Sequence, residues 1–147
     1  MINVGGNRIG TAEIESAILA QRGETVSNCI VVGMPHALLG SRPVAFVVPQ
    51  PGTSLSLQEQ ERLRSAVTTR LGGEVRAALC FVAVSMLPET HSGKYLRRIL
   101  AQLLVAADLG DLAALRNPEC VPELRVAARC NRTALSNPGR AGHAFTF

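Results

Sequence analysis

Tryptophan is absent from this 147-residue sequence, tyrosine occurs once and phenylalanine four times. Single-stranded nucleic acids commonly bind on stacked aromatic side chains, so this shortage argues against a nucleic-acid partner. The core must be aliphatic, because 47% of the residues are hydrophobic and only 18% are charged. This balance excludes an intrinsically disordered chain, and the length fits one compact domain.

Lysine is almost as scarce, since Lys94 stands alone beside fourteen arginines. We interpret the excess of arginine as a bias of genome composition. The 15 basic and 11 acidic residues give a net charge of +4. This charge suits anionic ligands such as nucleotides or coenzyme A, without choosing among them.

The chain also lacks the spacings and runs that mark several other classes of protein. Its three histidines are far apart and no two cysteines form a C-x-x-C pair, so the sequence predicts no metal site. It has no run of 18 apolar residues and no signal peptide at its first residues, so we expect no membrane partner. We therefore expect free thiols and a reducing location, cytoplasmic or mitochondrial.

Apolar periodicity and breaker residues divide the chain into helices and strands. The run Ser56–Glu59 is a capping box, and Asn117 followed by proline is typical of a helix start. The predicted helices cover 11–21, 56–71 and 94–105, with a last helix from 117, and the predicted strands cover 29–32, 44–48 and 81–84. The fold class is therefore α+β, with a small sheet of about three strands covered by helices. Residues 1–130 form one domain, and the aperiodic residues 131–147 form a flexible tail.

Two segments could carry chemistry. Lys94 follows Ser92-Gly93 at the predicted junction of a loop and a helix, where a flexible ammonium group and a helix N-terminus both favour an anion. Gly5 and Gly6 allow close approach of a ligand, and Arg8 offers a forked donor for phosphate. A solvated lysine and an ordinary glycine turn remain open as alternatives at this point.

The other polar candidates are weaker. Arg97 and Arg98 fall on the polar side of the helix that follows Lys94, which indicates a solvated face rather than a ligand site. His36 and His91 lie in predicted loops without an evident partner, so we expect neither to be catalytic.

Four ordered motifs carry a resemblance to a known family: I-N-V-G-G-N-R-I-G-T-A-E-I-E over 2–15, V-V-G-M-P-H over 31–36, L-P-E-T-H-S-G-K over 87–94 and R-R-I-L over 97–100. Together they resemble the C-terminal domain of AMP-forming acyl-CoA synthetases, within the adenylate-forming superfamily. The run Gly110–Pro118 is similar to the end of the acetyl-CoA synthetase subgroup. The resemblance covers about residues 2–126.

The resemblance implies a two-step ligase that uses ATP, with Mg²⁺, and coenzyme A as substrates. A short-chain carboxylic acid, acetate in the subgroup, is first converted to an acyl-adenylate. The domain then rotates, and the coenzyme A thiol attacks. Lys94 matches the lysine that serves the first step. Gly5 and Gly6 would line the pantetheine passage in the second step, and Arg8 would contact nucleotide phosphate.

The sequence departs from the family pattern at several of these positions. Glu89 and His91 replace basic residues beside the lysine, which makes the loop less basic, and Asn7 replaces a histidine. An arginine that contacts coenzyme A falls at Thr68, and Arg70 is its candidate replacement.

The implied partners are an N-terminal adenylation domain and a lysine acetyltransferase or deacetylase that acts on Lys94. The family's nucleotide-binding loop and carboxylate pocket lie before Ile2, so we expect the isolated chain to be inactive. Two alternatives remain. One is an adenylate-forming enzyme for a longer acid or an amino acid, and the other is a non-enzymatic basic module that binds nucleotides or nucleic acid.

Overall fold

A computed structural model of the chain describes residues 2–20 and 26–136. The strands are β1 (Ile2–Val4), β2 (Asn7–Ile9), β3 (Val26–His36), β4 (Gly40–Pro49) and β5 (Cys80–Ala83). The helices are α1 (Thr11–Leu19), α2 (Leu57–Leu71), α3 (Gly73–Ala78), α4 (Arg97–Leu104) and α5 (Cys120–Ser136). The α+β fold class is confirmed.

Within the described residues the sheet has five strands rather than the three or so predicted. Strand order is β2-β1-β4-β3, and β5 pairs in parallel with β4. The two added strands, β1 and β2, are three residues long and pair as a hairpin around Gly5-Gly6. The long strands β3 and β4 form a wide antiparallel pair, from Val26 opposite Pro49 to His36 opposite Gly40. The connection between them, residues 37–39, is therefore much shorter than the stretch 33–43 that lies between the two predicted strands.

Period-two alternation along the central strands divides the core into two layers. Phe46 and Val82 face α4 and α5, whereas Val47 and Phe81 face α1, α2 and α3. The helices thus cover both sides of the sheet, and β3 is an edge strand because it pairs only with β4 among the described strands. The predicted helix start at Ser56 is confirmed, since the Ser56 hydroxyl accepts a hydrogen bond from the Glu59 amide at 3.1 Å.

The last helix differs from its prediction at both ends. Asn117 does not cap the last helix, which begins at Cys120, because its side chain is used elsewhere. The same helix continues through Ser136, six residues into the segment predicted as a tail. Residues 137–147 of that segment lie outside the described residues. No helix among the described residues is long and apolar enough to span a membrane.

Candidate functional site

Lys94 lies on a short hairpin-like loop, which we call the lysine loop (residues 87–96). A β-bridge joins Glu89 and Tyr95. Inside it, the Thr90 amide donates to the Lys94 carbonyl at 2.7 Å and the Gly93 amide donates to the Thr90 carbonyl at 3.0 Å. Gly93 closes the turn with φ of +87°, a conformation that costs other residues energy.

The expectation that Lys94 begins a helix was wrong. Helix α4 begins at Arg97, and the backbone at Tyr95 pairs across the lysine loop instead of coiling. The loop therefore presents Lys94 without help from a helix dipole. Lys94 is exposed, and within residues 2–20 and 26–136 no hydrogen bond or ion pair holds its ammonium group. Its charge is thus available to an anion from outside this domain.

The base of the lysine loop is attached to residues 115–117. The Arg116 amide donates to the Glu89 carbonyl at 2.8 Å, and the Arg116 guanidinium forms an ion pair with the Glu89 carboxylate at 2.5 Å. The buried Asn117 side chain accepts from the Glu89 amide at 2.9 Å and donates to the Leu87 carbonyl at 2.8 Å. Sequence reasoning did not connect these two residues with the lysine loop, because they lie more than twenty positions after its start.

The other side of the lysine loop touches the free edge of β3. The Tyr95 hydroxyl accepts a hydrogen bond from the Asn28 side chain. Two residues on, the Arg97 guanidinium forms an ion pair with Glu15 of α1 and also donates to the Val31 carbonyl at 3.1 Å. The Glu15 carboxylate accepts from the Val31 amide at 2.8 Å. These side chains take the place of a neighbouring strand at an otherwise open edge.

Arg97 and Arg98 are exposed, as the helical pattern indicated, but both also contact neighbouring segments. Hydrogen bonding to Glu15 raises the pKa of the Arg97 guanidinium above its ordinary value, so the group stays charged. Arg98 donates to the Leu109 carbonyl and to the Gln102 side chain, at 2.8 and 2.9 Å. Both arginines fasten the start of α4 to neighbouring segments.

Gly5 and Gly6 form the turn between β1 and β2, with φ of +57° and +92°. Two consecutive positive φ angles are the signature of the tight hairpin turn that favours glycine. The Gly5 amide donates to the Leu39 carbonyl at 3.0 Å, so this turn is fastened to the β3–β4 hairpin. A Cβ atom placed on Gly6 would meet nothing within 4 Å. The turn is thus open to a chain-like ligand on that side.

Arg8 and Arg70, which the sequence assigned to different ligands, line the same open groove of about 500 Å³. Both arginines are exposed, and Gly72, Gly73 and the acidic Glu13 also line the groove. Lys94 is not among its lining residues. The candidate residues therefore fall into separate places: the lysine loop, the Gly5-Gly6 turn and the arginine groove.

The histidines and thiols have other surroundings. The His36 Nδ1 atom accepts from the Leu38 and Leu39 amides, each at 3.1 Å, so this side chain stabilises the β3–β4 hairpin. Burial raises the pKa of the Cys80 thiol to about 11 and that of Cys29 further, which keeps both as unreactive thiols. The predicted free thiols are confirmed for Cys29, Cys80 and Cys120. Across the described part of the chain, no three His, Cys, Asp or Glu side chains are grouped to hold a metal ion.

The sequence and the fold of this chain were compared with those of known proteins. The family model described as AMP-binding enzyme C-terminal domain matches residues 13–94, a stretch that ends on Lys94. The chain belongs to the AMP-binding enzyme C-terminal domain family.

Individual relatives agree with this assignment. Acetyl-coenzyme A synthetase of Pyrobaculum arsenaticum is 35% identical over 138 residues, which are 94% of this chain and 20% of that protein. Propionate–CoA ligase of Escherichia coli is 36% identical over 132 residues, 86% of this chain and 20% of that protein. The chain thus spans about a fifth of the length of these relatives.

Solved structures give the same fold. The acyl-CoA synthetase of Brucella canis is similar with a TM-score of 0.64 and 31% identity, over 71% of this chain and 19% of that one. The acetoacetyl-CoA synthetase of Streptomyces lividans has a TM-score of 0.69 at 20% identity, over 87% of this chain and 19% of that one, and shows the fold alone.

Proposed function

We propose that this chain acts as the C-terminal domain of a short-chain acid–CoA ligase, in company with an N-terminal adenylation domain. The names of the relatives, acetyl-coenzyme A synthetase and propionate–CoA ligase, support a short-chain acid as substrate. The observation that carries the proposal is the lysine loop, which presents the exposed Lys94 ammonium group on a fastened frame.

The proposed reaction has two steps. A carboxylate oxygen of the acid attacks the α-phosphorus of ATP, which forms an acyl-adenylate and releases pyrophosphate. The sulfur of coenzyme A then attacks the acyl carbonyl carbon, which forms the thioester and releases AMP. Mg²⁺ would enter with the ATP phosphates, and no role proposed for this chain depends on its residues binding the ion.

Lys94 is the proposed catalytic residue of the first step. Negative charge shifts among the attacking carboxylate, the α-phosphate and the departing pyrophosphate, and an ammonium group placed between these oxygens lowers the barrier. A lysine suits this position because it is a compact charge on a flexible stem. Transfer of an acetyl group to Lys94 would remove that charge, so we include a lysine acetyltransferase and a deacetylase as proposed partners.

The second step would use the Gly5-Gly6 turn and the arginine groove. Gly5 and Gly6 would line the passage for the pantetheine arm, since a turn without side chains leaves room for a narrow ligand. Arg8 and Arg70 would bind phosphate in the arginine groove, where two guanidinium groups face one space. Because they share a groove, we propose that they serve one phosphate-rich ligand, rather than the two separate contacts that the sequence suggested.

The experiment is a hybrid enzyme. The segment of Escherichia coli propionate–CoA ligase that aligns with this chain is replaced by the 147-residue chain. We expect the hybrid to form acyl-CoA and AMP from a short-chain acid, well above the ligase from which that segment has been deleted. A folded hybrid no more active than the deleted ligase, in both half-reactions, would contradict the proposed function.

The arginine groove makes a separate prediction in the same hybrid. Arg8→Ala and Arg70→Ala each remove a forked phosphate donor, so the KM for coenzyme A or for ATP should rise by about tenfold while folding is unchanged. Arg125→Ala is the control, because it removes an exposed arginine from α5. If the two groove variants raise KM values for different substrates, the shared-ligand interpretation is wrong.

A further inference from the structure

The lysine loop is closed at its base by an ion pair between its own Glu89 and Arg116, a residue outside the stretch matched by the family model. We propose that Glu89 and Arg116 are positioning residues that hold Lys94 in the geometry for the adenylation step. This inference rests on the proposed function, because it assigns a purpose to the same lysine.

The first support is where the pair lies. Glu89 and Tyr95 face each other across the lysine loop, so the backbone of Glu89 forms one side of the frame that ends in Lys94. The neighbouring Thr90 pairs with Leu115 as a further bridge, and its amide donates to the Lys94 carbonyl. A shift at Glu89 is therefore passed to Lys94 through two adjoining backbone contacts.

The second support is the number of contacts that converge on Glu89. Its carbonyl accepts from the Arg116 amide, its amide donates to Asn117, and its carboxylate pairs with the Arg116 guanidinium. Backbone contacts alone would fix the position of the loop. The ion pair adds a side-chain contact at 2.5 Å, so Arg116 holds Glu89 by both backbone and side chain.

The third support is the balance of charge beside Lys94. A carboxylate in this loop would weaken the approach of anionic substrates if it acted alone. The ion pair with Arg116 neutralises the negative charge of the Glu89 carboxylate. Glu89 is the more buried partner, with 25% of its side chain exposed against 55% for Arg116, so water faces the guanidinium rather than the carboxylate. An acidic residue is thus tolerated next to a site for anions.

The test is a reversal of the pair in the hybrid enzyme. Glu89→Arg places two guanidinium groups together, and Arg116→Glu places two carboxylates together. Arginine is introduced rather than lysine so that Lys94 remains the only lysine of the chain. We expect each single variant to lower kcat of acyl-adenylate formation by about tenfold, with little change in the KM for ATP. The double variant should recover to within about threefold of the unaltered hybrid.

Three comparisons decide the result. Thioester formation from supplied acyl-adenylate should be unaffected by any of these variants, because Lys94 serves only the first step. Arg125→Glu changes the net charge as Arg116→Glu does, on the exposed side of α5, and should leave adenylation unchanged. If the double variant stays as slow as the single ones, or if KM for ATP follows the charge at residue 89 alone, Glu89 acts on substrate directly and the inference is wrong.

A second measurement uses the 147-residue chain itself and does not depend on enzymatic activity. Amide hydrogen exchange at Thr90 and Gly93 reports the two hydrogen bonds that close the lysine loop. We expect both amides to exchange about tenfold faster in each single variant and to be protected again in the double variant. Unchanged exchange in the single variants would overturn the inference even if the hybrid were inactive. An inactive hybrid with the expected exchange pattern would count against the proposed function instead.

Discussion

Replacing Lys94 by alanine in the hybrid enzyme should lower acyl-adenylate formation by at least about 100-fold and leave thioester formation from supplied acyl-adenylate unchanged. The loss is large because one cation aimed at developing charge commonly contributes two to three powers of ten, as a rough guide, in rate. The split between the half-reactions is expected because the lysine loop and the Gly5-Gly6 turn are separate places in the fold. Pyrophosphate release and acyl-CoA formation are measured separately, each as a single turnover. Equal loss in both would show that Lys94 is not specific to adenylation.

A variant of the Gly5-Gly6 turn tests the other half-reaction, thioester formation. Gly6→Leu places a side chain in the open space of the turn and should slow thioester formation while adenylation continues. Because Gly6 has a positive φ, any side chain there also strains the backbone. Gly52→Leu is the matched control, since Gly52 has φ of +80° and is equally open, in a turn between β4 and α2. A similar loss in both glycine variants would indicate strain rather than a blocked passage.

The part of the fold that sequence could predict is the part set by local patterns. The apolar runs near residues 30, 46 and 82 identified three strands, and the Ser56 hydroxyl caps α2 as its spacing indicated. An extended segment with a turn at Gly5-Gly6 was indicated for residues 2–9, but the pairing of β1 with β2 was not, because three-residue strands have too few positions to show alternation. Strands β3 and β4 run further than predicted, through Pro35 and Pro43, because pairing along the whole hairpin outweighs the tendency of proline to end a strand.

The candidate site, like the fold, could be predicted only where a local sequence pattern marks it. Lys94 could be found because a scarce residue type coincided with a loop motif. Its frame could not be found, because Arg116 and Asn117 reach Glu89 only after the chain has passed through α4. The sequence near Asn117 suggested that this side chain caps a helix. In the structure the same side chain binds the lysine loop at Glu89 and Leu87. Long-range contacts of this kind leave no periodic signal, so only the folded chain reveals them.

A large effect on stability is expected at the edge of β3, where Glu15 accepts from the Val31 amide and pairs with Arg97. Glu15→Ala leaves that buried amide without its acceptor, which costs about 1–2 kcal/mol. It also removes the ion pair. Because 46% of the Arg97 side chain is exposed, water screens the pair and we add only about 1 kcal/mol for it. The free energy of unfolding should fall by about 2–3 kcal/mol in total, measured by urea denaturation of the 147-residue chain.

Glu15→Gln separates the two contributions, because the amide oxygen can still accept from the Val31 amide while the charge is lost. This variant should cost about 1 kcal/mol, and 1 M salt should reduce the difference from the unaltered chain. Glu13→Ala is the control on the same helix, since Glu13 is exposed and should change stability by less than about 1 kcal/mol. If Glu15→Gln were as costly as Glu15→Ala, the ion pair rather than the covered strand edge would be the source of stability. In that case Arg97, which links α4 to α1 around the edge of the sheet, would be the residue that holds the two helix layers together.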